Sequence, residues 1–228
     1  MAMILDGNRR WAKQKSLQSS AHGHRAGANK IHEFLRWCEE RGVQVVTLYL
    51  LSSDNLSTRA SNELDDLAKI IENLSEQLSR LSNWRVKHVG KKDSLPAHLQ
   101  RTLSEATKRT SGNSGLHINL AIGYGGREEI TQAVARLVSQ HRKSGGTLET
   151  LPDAVSVPAI AEHLYTQGQP DPDLVIRTSG EQRLSDFMIW QSAHSEFYFV
   201  EALGPDLREI DFLRALRDFG TRQRRYGQ

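Results

Sequence analysis

Residues 43–51 read Val-Gln-Val-Val-Thr-Leu-Tyr-Leu-Leu, an almost unbroken apolar and β-branched run. A strand with one wet face alternates apolar and polar residues. This one does not, so it must be buried on both faces, as strands in parallel sheets are. Parallel neighbours cannot be joined by hairpins and need crossovers long enough for a helix. The run therefore demands an alternating α/β chain, and the rest of the sequence supplies one. Met3-Ile4-Leu5, residues 84–89, 116–122 and 173–176, and Phe197-Tyr198-Phe199-Val200 read as further strands. Between them, Ile31, Phe34, Leu35 and Cys38 mark a helix over 26–41, ended by Gly42. Leu64, Leu67, Ile71, Leu74, Leu78 and Leu81 mark another over 63–81. Helices are also predicted over 96–110, 128–143, near 158–165 and from Ile210 onward. The expectation is one domain over residues 1–228, with a mostly parallel central sheet flanked by helices.

Each strong strand runs into a polar cluster, and ligands of open α/β sheets bind beyond the carboxyl ends of strands. After the first strand comes Asp6-Gly7-Asn8-Arg9-Arg10-Trp11. Gly and Asn accept the positive φ of a sharp turn, and the turn sets backbone amides and two arginines beside one carboxylate. That suits a diphosphate and a divalent cation, but it equally describes a surface turn with solvated charges. The second cluster, Ser52-Ser53-Asp54-Asn55-Leu56-Ser57-Thr58-Arg59, is either a binding loop or a helix cap. The third, Gly123-Tyr124-Gly125-Gly126-Arg127, could bring amides to an anion but matches no P-loop pattern. The fourth, Arg177-Thr178-Ser179-Gly180-Glu181-Gln182-Arg183-Leu184-Ser185, spaces two arginines for bidentate phosphate contacts. His22-Gly23-His24 reads as a loop closing onto a helix. It lacks the further ligands of a zinc site, so His24 is a structural or phosphate-contacting residue.

Composition narrows the classes. Thirty basic and 27 acidic residues nearly cancel, and the basic residues follow strand ends without interleaved aromatics, which argues against nucleic acid. The single cysteine, Cys38, excludes an internal disulfide and falls on a predicted apolar helix face, so a buried thiol in a reducing compartment is expected. No run approaches the roughly 18–20 apolar residues of a membrane span, and no signal peptide is evident. The short lead before Asp6 reads as a trimmed start. Asp65-Asp66 is followed by Lys69, so the Asp-Asp-x-x-Asp metal cluster of trans-type prenyl synthases is missing.

Six stretches together resemble the cis-prenyltransferases, the undecaprenyl diphosphate synthase family. They are Asp-Gly-Asn-Arg-Arg-Trp-Ala, Gly-His-Arg-Ala-Gly, Leu-Tyr-Leu-Leu-Ser-Ser-Asp-Asn, Gly-Tyr-Gly-Gly-Arg, Asp-Leu-Val-Ile-Arg-Thr-Ser-Gly-Glu-Gln-Arg-Leu-Ser and Arg-Tyr-Gly, in family order over residues 3–227. The resemblance implies a Mg²⁺-dependent condensation of an allylic diphosphate with isopentenyl diphosphate. It also implies an apolar tunnel between sheet and helices, walled in part by Leu64, Leu67 and Ile71. By the same resemblance Asp6 holds Mg²⁺ and the allylic diphosphate, with Gly7, Asn8, Arg9 and Arg10 as the phosphate loop and Trp11 beside it. His24 contacts phosphate, as Arg59 is expected to. Ser52 and Asn55 stand near the reacting carbons; Asn55 matches the position assigned to proton removal, though a neutral amide suits an orienting role better. Arg177, Arg183 and Ser185 match the isopentenyl diphosphate clamp, and Glu196 a second metal-linked carboxylate. Arg225 and Gly227 match an Arg-x-Gly tail that reaches a partner subunit's site, so a homodimer is implied.

The departures bear on product length. Leu50 stands where long-chain members carry Ala, Leu56 replaces Trp, and Ser20 replaces an Arg. One extra residue separates Asn55 from Arg59. Leu50, Leu56 and Leu67 are therefore taken as chain-length residues, and the chain looks most like the actinobacterial short-chain enzymes that make Z,E-farnesyl diphosphate from geranyl diphosphate. The alternatives are a long-chain decaprenyl or undecaprenyl synthase and a non-catalytic partner subunit. A cytoplasmic enzyme with at most peripheral contact at the inner membrane face is expected.

Overall fold

The computed structural model describes residues 1–80 and 83–222. The chain begins with strand β1 (Ala2–Ile4), turns into helix α1 (Asn8–Gln14) and continues into the long helix α2 (Ser20–Glu40). Strand β2 (Val45–Ser52) passes directly into the short helix α3 (Ser53–Thr58), followed by α4 (Ser61–Arg80). The alternation repeats through β3 (Arg85–Val89), α5 (Ala97–Arg109), β4 (His117–Tyr124) and α6 (Gly126–Lys143). Two short helices, α7 (Leu151–Ala154) and α8 (Val157–Ala161), lead to β5 (Leu174–Arg177), β6 (Glu196–Phe199) and α9 (Glu209–Thr221).

The strands form one sheet in the order β3-β4-β2-β1-β5-β6, and every neighbouring pair is parallel. β2 and β4 pair Val46 with Ile118 and Leu48 with Leu120, residues 0–1 % exposed. Their burial is what an apolar run without alternation requires. The chain first builds outward from β1 on one side, through β2 to β3 and β4, and then crosses to β5 and β6 on the other. β1 is thus the point where strand order reverses. The loops leaving β1, β2 and β5 share one rim there, where open α/β sheets bind ligands.

Alternate residues of β1 enter different cores. Met3 joins Leu48, Ile118, Leu120 and Ile176 beneath α2, α4 and α5, whereas Ala2 and Ile4 join Val175, Tyr124, Phe187 and Met188 on the other face. Cys38 is fully buried in the first core, and burial pushes its thiol pKa up, as expected of a packing residue. Among the described residues no helix is long and apolar enough to cross a membrane.

One expectation needs correction. α2 starts at Ser20, not near Ala26, so the Gly-His stretch is helical and not a loop. Ser19 caps the helix, its hydroxyl accepting from the Ala21 amide at 3.1 Å. The two glycines serve close approach: a Cβ on Gly23 would lie 2.0 Å from the Asn8 carbonyl oxygen, and one on Gly27 2.3 Å from Asn8 Oδ1. Four residues apart, they clear one strip of α2 for α1 to lie against. α1 begins at Asn8, inside the first polar cluster, and of the two readings of the stretch after β2 the helix cap holds, Ser52 capping α3. Arg225, Gly227 and Leu81 lie outside the described residues.

Candidate active site

A cleft of about 650 Å³ opens at the shared rim, lined by residues 4–10, His24, Tyr49 to Ser52, Asp54, Asn55, Arg59, Arg177, Glu181, Arg183 and Ser185. Three of the four polar clusters meet in it. The turn after β1 is set by Gly7, whose φ of +95° admits no side chain easily and whose Cβ would strike Leu203 Cδ2 at 2.8 Å. Because α1 starts there, its first amides, those of Asn8, Arg9 and Arg10, have no intrahelical acceptor.

Asp6 sits at the centre. Its Oδ2 accepts from Arg177 Nη2 at 2.8 Å and its Oδ1 from the Gly7 amide at 2.6 Å. Burial works against its charge, but those bonds and the charges of Arg177 and Arg10 outweigh it and hold the carboxyl below the usual range. Arg177 is 4 % exposed. Its Nη1 donates to Ser185 Oγ at 2.9 Å and also to the Arg183 carbonyl, so one guanidinium ties together the acid and the loop after β5. That loop is strained: Ser179, Ser185, Asp186 and Met188 all take positive φ. Non-glycine residues do so at a cost and concentrate at functional sites.

Asn55 lines the cleft, and its amide nitrogen donates to Ser52 Oγ at 3.1 Å, so Ser52 caps α3 while standing at the rim. On the opposite wall, Arg59 Nη1 donates to Glu63 Oε1 at 2.8 Å and lies 3.3 Å from His24 Nε2. Burial first, and then the Arg59 charge, lower the His24 pKa to about 4, so the ring is neutral near pH 7. The extra residue before Arg59 therefore does not carry it away from the site.

Five buried side-chain polar atoms lack a partner among the described residues. They are Asn8 Oδ1, Arg59 Nε, Arg177 Nε, Ser179 Oγ and Gln191 Oε1. Unpaired buried polar atoms are costly and rare. Three of these belong to residues lining the cleft, and Ser179 neighbours it, its carbonyl accepting from Arg10 at 3.3 Å. Two being guanidinium N–H groups, the wall is short of anionic acceptors, which a diphosphate would supply.

Adjoining the cleft is a cavity of about 40 Å³ between the sheet and helices α2 and α4, walled largely by Ile31, Leu50, Leu67, Ile70, Ile71 and Leu74, with the polar side chains of Asn8, His24 and Tyr49 shared with the cleft. Leu50 lines both spaces. Leu64 is half-buried against the same core without lining the cavity.

Several expected residues are elsewhere. Leu56 packs toward the end of β4, beside Gly123, and lines neither the cleft nor the cavity. Trp11 donates from Nε1 to Asp206 at 2.8 Å and pins α1 without lining the cleft. Glu196 starts β6, at the amino edge of the sheet opposite Asp6, and accepts from Arg222 at 2.7 Å. The third polar cluster borders a separate concavity, and its amides are taken: those of Gly126 and Arg127 donate to Asp186 at 2.7 and 3.0 Å. Three acidic residues were missed by sequence reasoning. Asp54 and Glu181 line the cleft, and Glu181 pairs with Arg10 at 3.4 Å and with Arg183. Glu63 stands four residues after Arg59, but Arg59 is extended between α3 and α4, so no helical i, i+4 pairing announced the contact in the sequence.

A family profile described as "Putative undecaprenyl diphosphate synthase" matches residues 4–227. A protein of Thermobifida fusca named (2Z,6E)-farnesyl diphosphate synthase is 56% identical over 227 residues, covering 100% of this chain and 89% of its own length. Isoprenyl transferase 1 of Streptomyces avermitilis is 54% identical over 227 residues, covering 100% and 88%. The crystal structure of lavandulyl diphosphate synthase from Lavandula x intermedia, in complex with dimethylallyl diphosphate, superposes with a TM-score of 0.91 at 35% identity, covering 100% of this chain and 97% of that one. With its parallel sheet, its anion-seeking cleft and a match along almost its whole length, the chain belongs to the undecaprenyl diphosphate synthase family of prenyltransferases.

Proposed function

We propose that this chain is a short-chain cis-prenyl diphosphate synthase that joins geranyl diphosphate to isopentenyl diphosphate, giving (2Z,6E)-farnesyl diphosphate and free diphosphate. One observation carries the reading: an arginine-rich cleft adjoins a cavity, walled largely by Leu and Ile side chains, of only about 40 Å³. For comparison, a protein cavity that binds six-carbon benzene measures about 150 Å³. A five-carbon unit needs on the order of 100 Å³ by that measure, more than the space beyond Leu50 offers. A long-chain product has nowhere to grow in this conformation.

The residues divide the work. The orphaned amides of Asn8, Arg9 and Arg10, with the two arginine side chains, receive the allylic diphosphate and stabilise charge as its C1–O bond breaks. Arg177, Arg183 and Ser185 hold the second diphosphate, so the two substrates meet in fixed orientation. C4 of isopentenyl diphosphate bonds to the allylic C1, and C2 loses a proton as the new cis C2=C3 bond forms. Asn55 lacks a basic lone pair, so it orients the isopentenyl group, and the departing diphosphate or a water takes the proton. His24, neutral, accepts a hydrogen bond beside the phosphates.

Mg²⁺ fits the donor set. Asp6 offers hard carboxylate oxygens in the cleft, and substrate diphosphate oxygens and water would complete the ion's coordination. When bound, the ion would neutralise diphosphate charge. Glu196 could join only from another copy of the chain, and Arg225 and Gly227 would act across the same homodimer. A fifteen-carbon product needs no membrane, so a cytoplasmic enzyme with at most peripheral membrane contact follows.

The test is incubation with Mg²⁺, labelled isopentenyl diphosphate and either geranyl or farnesyl diphosphate, followed by chain-length analysis. A single fifteen-carbon product from geranyl diphosphate supports the reading. A ladder to fifty carbons favours the long-chain alternative, and no product at all favours the non-catalytic subunit.

A further inference from the structure

We propose that Glu63 is a positioning residue of the diphosphate wall, holding Arg59 in its binding posture before substrate arrives; this rests on the reading of the cleft as a prenyl diphosphate site. Glu63 lies in the first turn of α4, and one of its oxygens, Oε1, faces three nitrogen groups from three elements. Arg59 Nη1 is at 2.8 Å, His24 Nε2 at 3.8 Å and Arg9 Nη1 at 4.0 Å. Arg59 follows α3, His24 lies in α2 and Arg9 in α1, so the carboxylate is where these elements and α4 meet.

The geometry makes Arg59 the element being set. Its side chain is 13 % exposed, while that of Arg9 is 62 % exposed and free to turn. Glu63 and the lone pair of His24 both engage the same guanidinium nitrogen, Nη1. The buried Nε has no acceptor among the described residues. A guanidinium is planar and rigid, so fixing one corner fixes where the other donors point. Without Glu63, Arg59 would keep only a neutral hydrogen-bond partner and would face the charge of Arg9 with only the more distant Asp6 to offset it. The carboxylate thus works through Arg59 and does not itself touch an anion, which it would repel.

The experiment is a double-mutant cycle on the affinity for inorganic diphosphate, measured by calorimetry with wild type, Glu63→Ala, Arg59→Ala and the double variant. Circular dichroism melts verify that each is folded. Glu63→Ala should weaken binding about tenfold when Arg59 is present and less than about twofold when it is absent, because coupled residues are not additive. A purely structural role for Glu63 in starting α4 predicts the same loss in both backgrounds, and that result overturns the proposal, as does an unchanged affinity. If Glu63→Ala does not fold, the cycle is run with Glu63→Gln, which keeps an oxygen near Arg59; a loss of about threefold confined to the Arg59 background is then expected. Failure of wild type to bind diphosphate would count against the functional reading itself, before Glu63 is at issue.

Discussion

Leu50→Ala should lengthen the product by one isoprene unit. Leu50 lines both the cleft and the 40 Å³ cavity, as Leu5, Asn8, His24 and Tyr49 also do, and with Leu5 it is one of the two bulky aliphatic side chains that a single truncation can remove from their shared wall. Truncating a core Leu to Ala can open a dry space of up to about 150 Å³, large enough for a six-carbon ring. Joined to the existing cavity, that space holds a further five-carbon unit but not several. The expected product shifts from fifteen to twenty carbons and not to a long ladder. Leu50 is only half-buried, so the stability cost should be near the low end for Leu→Ala, about 2 kcal/mol, and the variant should remain folded. The assay is reversed-phase separation of dephosphorylated products after incubation with geranyl diphosphate and labelled isopentenyl diphosphate. A folded, active variant that still stops at fifteen carbons would refute the argument and shift the stop to the α2–α4 wall.

Four further outcomes are expected. Asp6→Ala should lower turnover by roughly 10²–10³-fold, the scale of losing one charge-stabilising group, and should also lower the melting temperature, because it leaves the buried Arg177 guanidinium without its carboxylate; near-normal turnover would remove Asp6 from the chemistry. Arg183→Ala should raise the KM for isopentenyl diphosphate more than that for the allylic substrate, and the reverse order would reassign the clamp. For His24, the folded pKa of about 4 lies below the unfolded value near 6.5, so the native state favours the neutral ring. Its contribution is intact above pH 6.5 and is lost progressively as pH falls toward 4, by roughly 2–3 kcal/mol. Denaturant titrations of His24→Gln should show a shallower acid-side decline than wild type, and parallel declines would contradict the assignment. Finally, Gly23→Ala should cost more than the 1–3 kcal/mol typical of overpacking, because its Cβ meets rigid backbone at 2.0 Å; an unchanged melting temperature would show that α1 does not rest on that strip.

The sheet was legible because burial on both faces removes alternation, and 43–51 and 116–122 carry that mark plainly. The site was legible where a strand end coincides with chemically informative residues, as at Asp6 and Arg177. It was obscured where glycine has two meanings. Gly23 and Gly27 read as flexibility, yet they are absences of bulk that depend on Asn8, on another helix. The glycine-rich turn after β4 reads as an anion seat, but the amides of Gly126 and Arg127 are claimed by Asp186, about sixty residues away in sequence. Periodicity carries no information about such distant partners. Glu196 shows the same limit: its place next to β6 was visible, but not that the strand's start faces away from Asp6.

The most direct test of the account is a crystal structure of the protein with Mg²⁺, isopentenyl diphosphate and a non-cleavable thio analogue of geranyl diphosphate. The account predicts one diphosphate on the amides and arginines of residues 8–10 beside Asp6, the other on Arg177, Arg183 and Ser185, and a prenyl tail ending against Leu50. Diphosphates bound outside that cleft, or a tail running along a different face of the sheet, would contradict it.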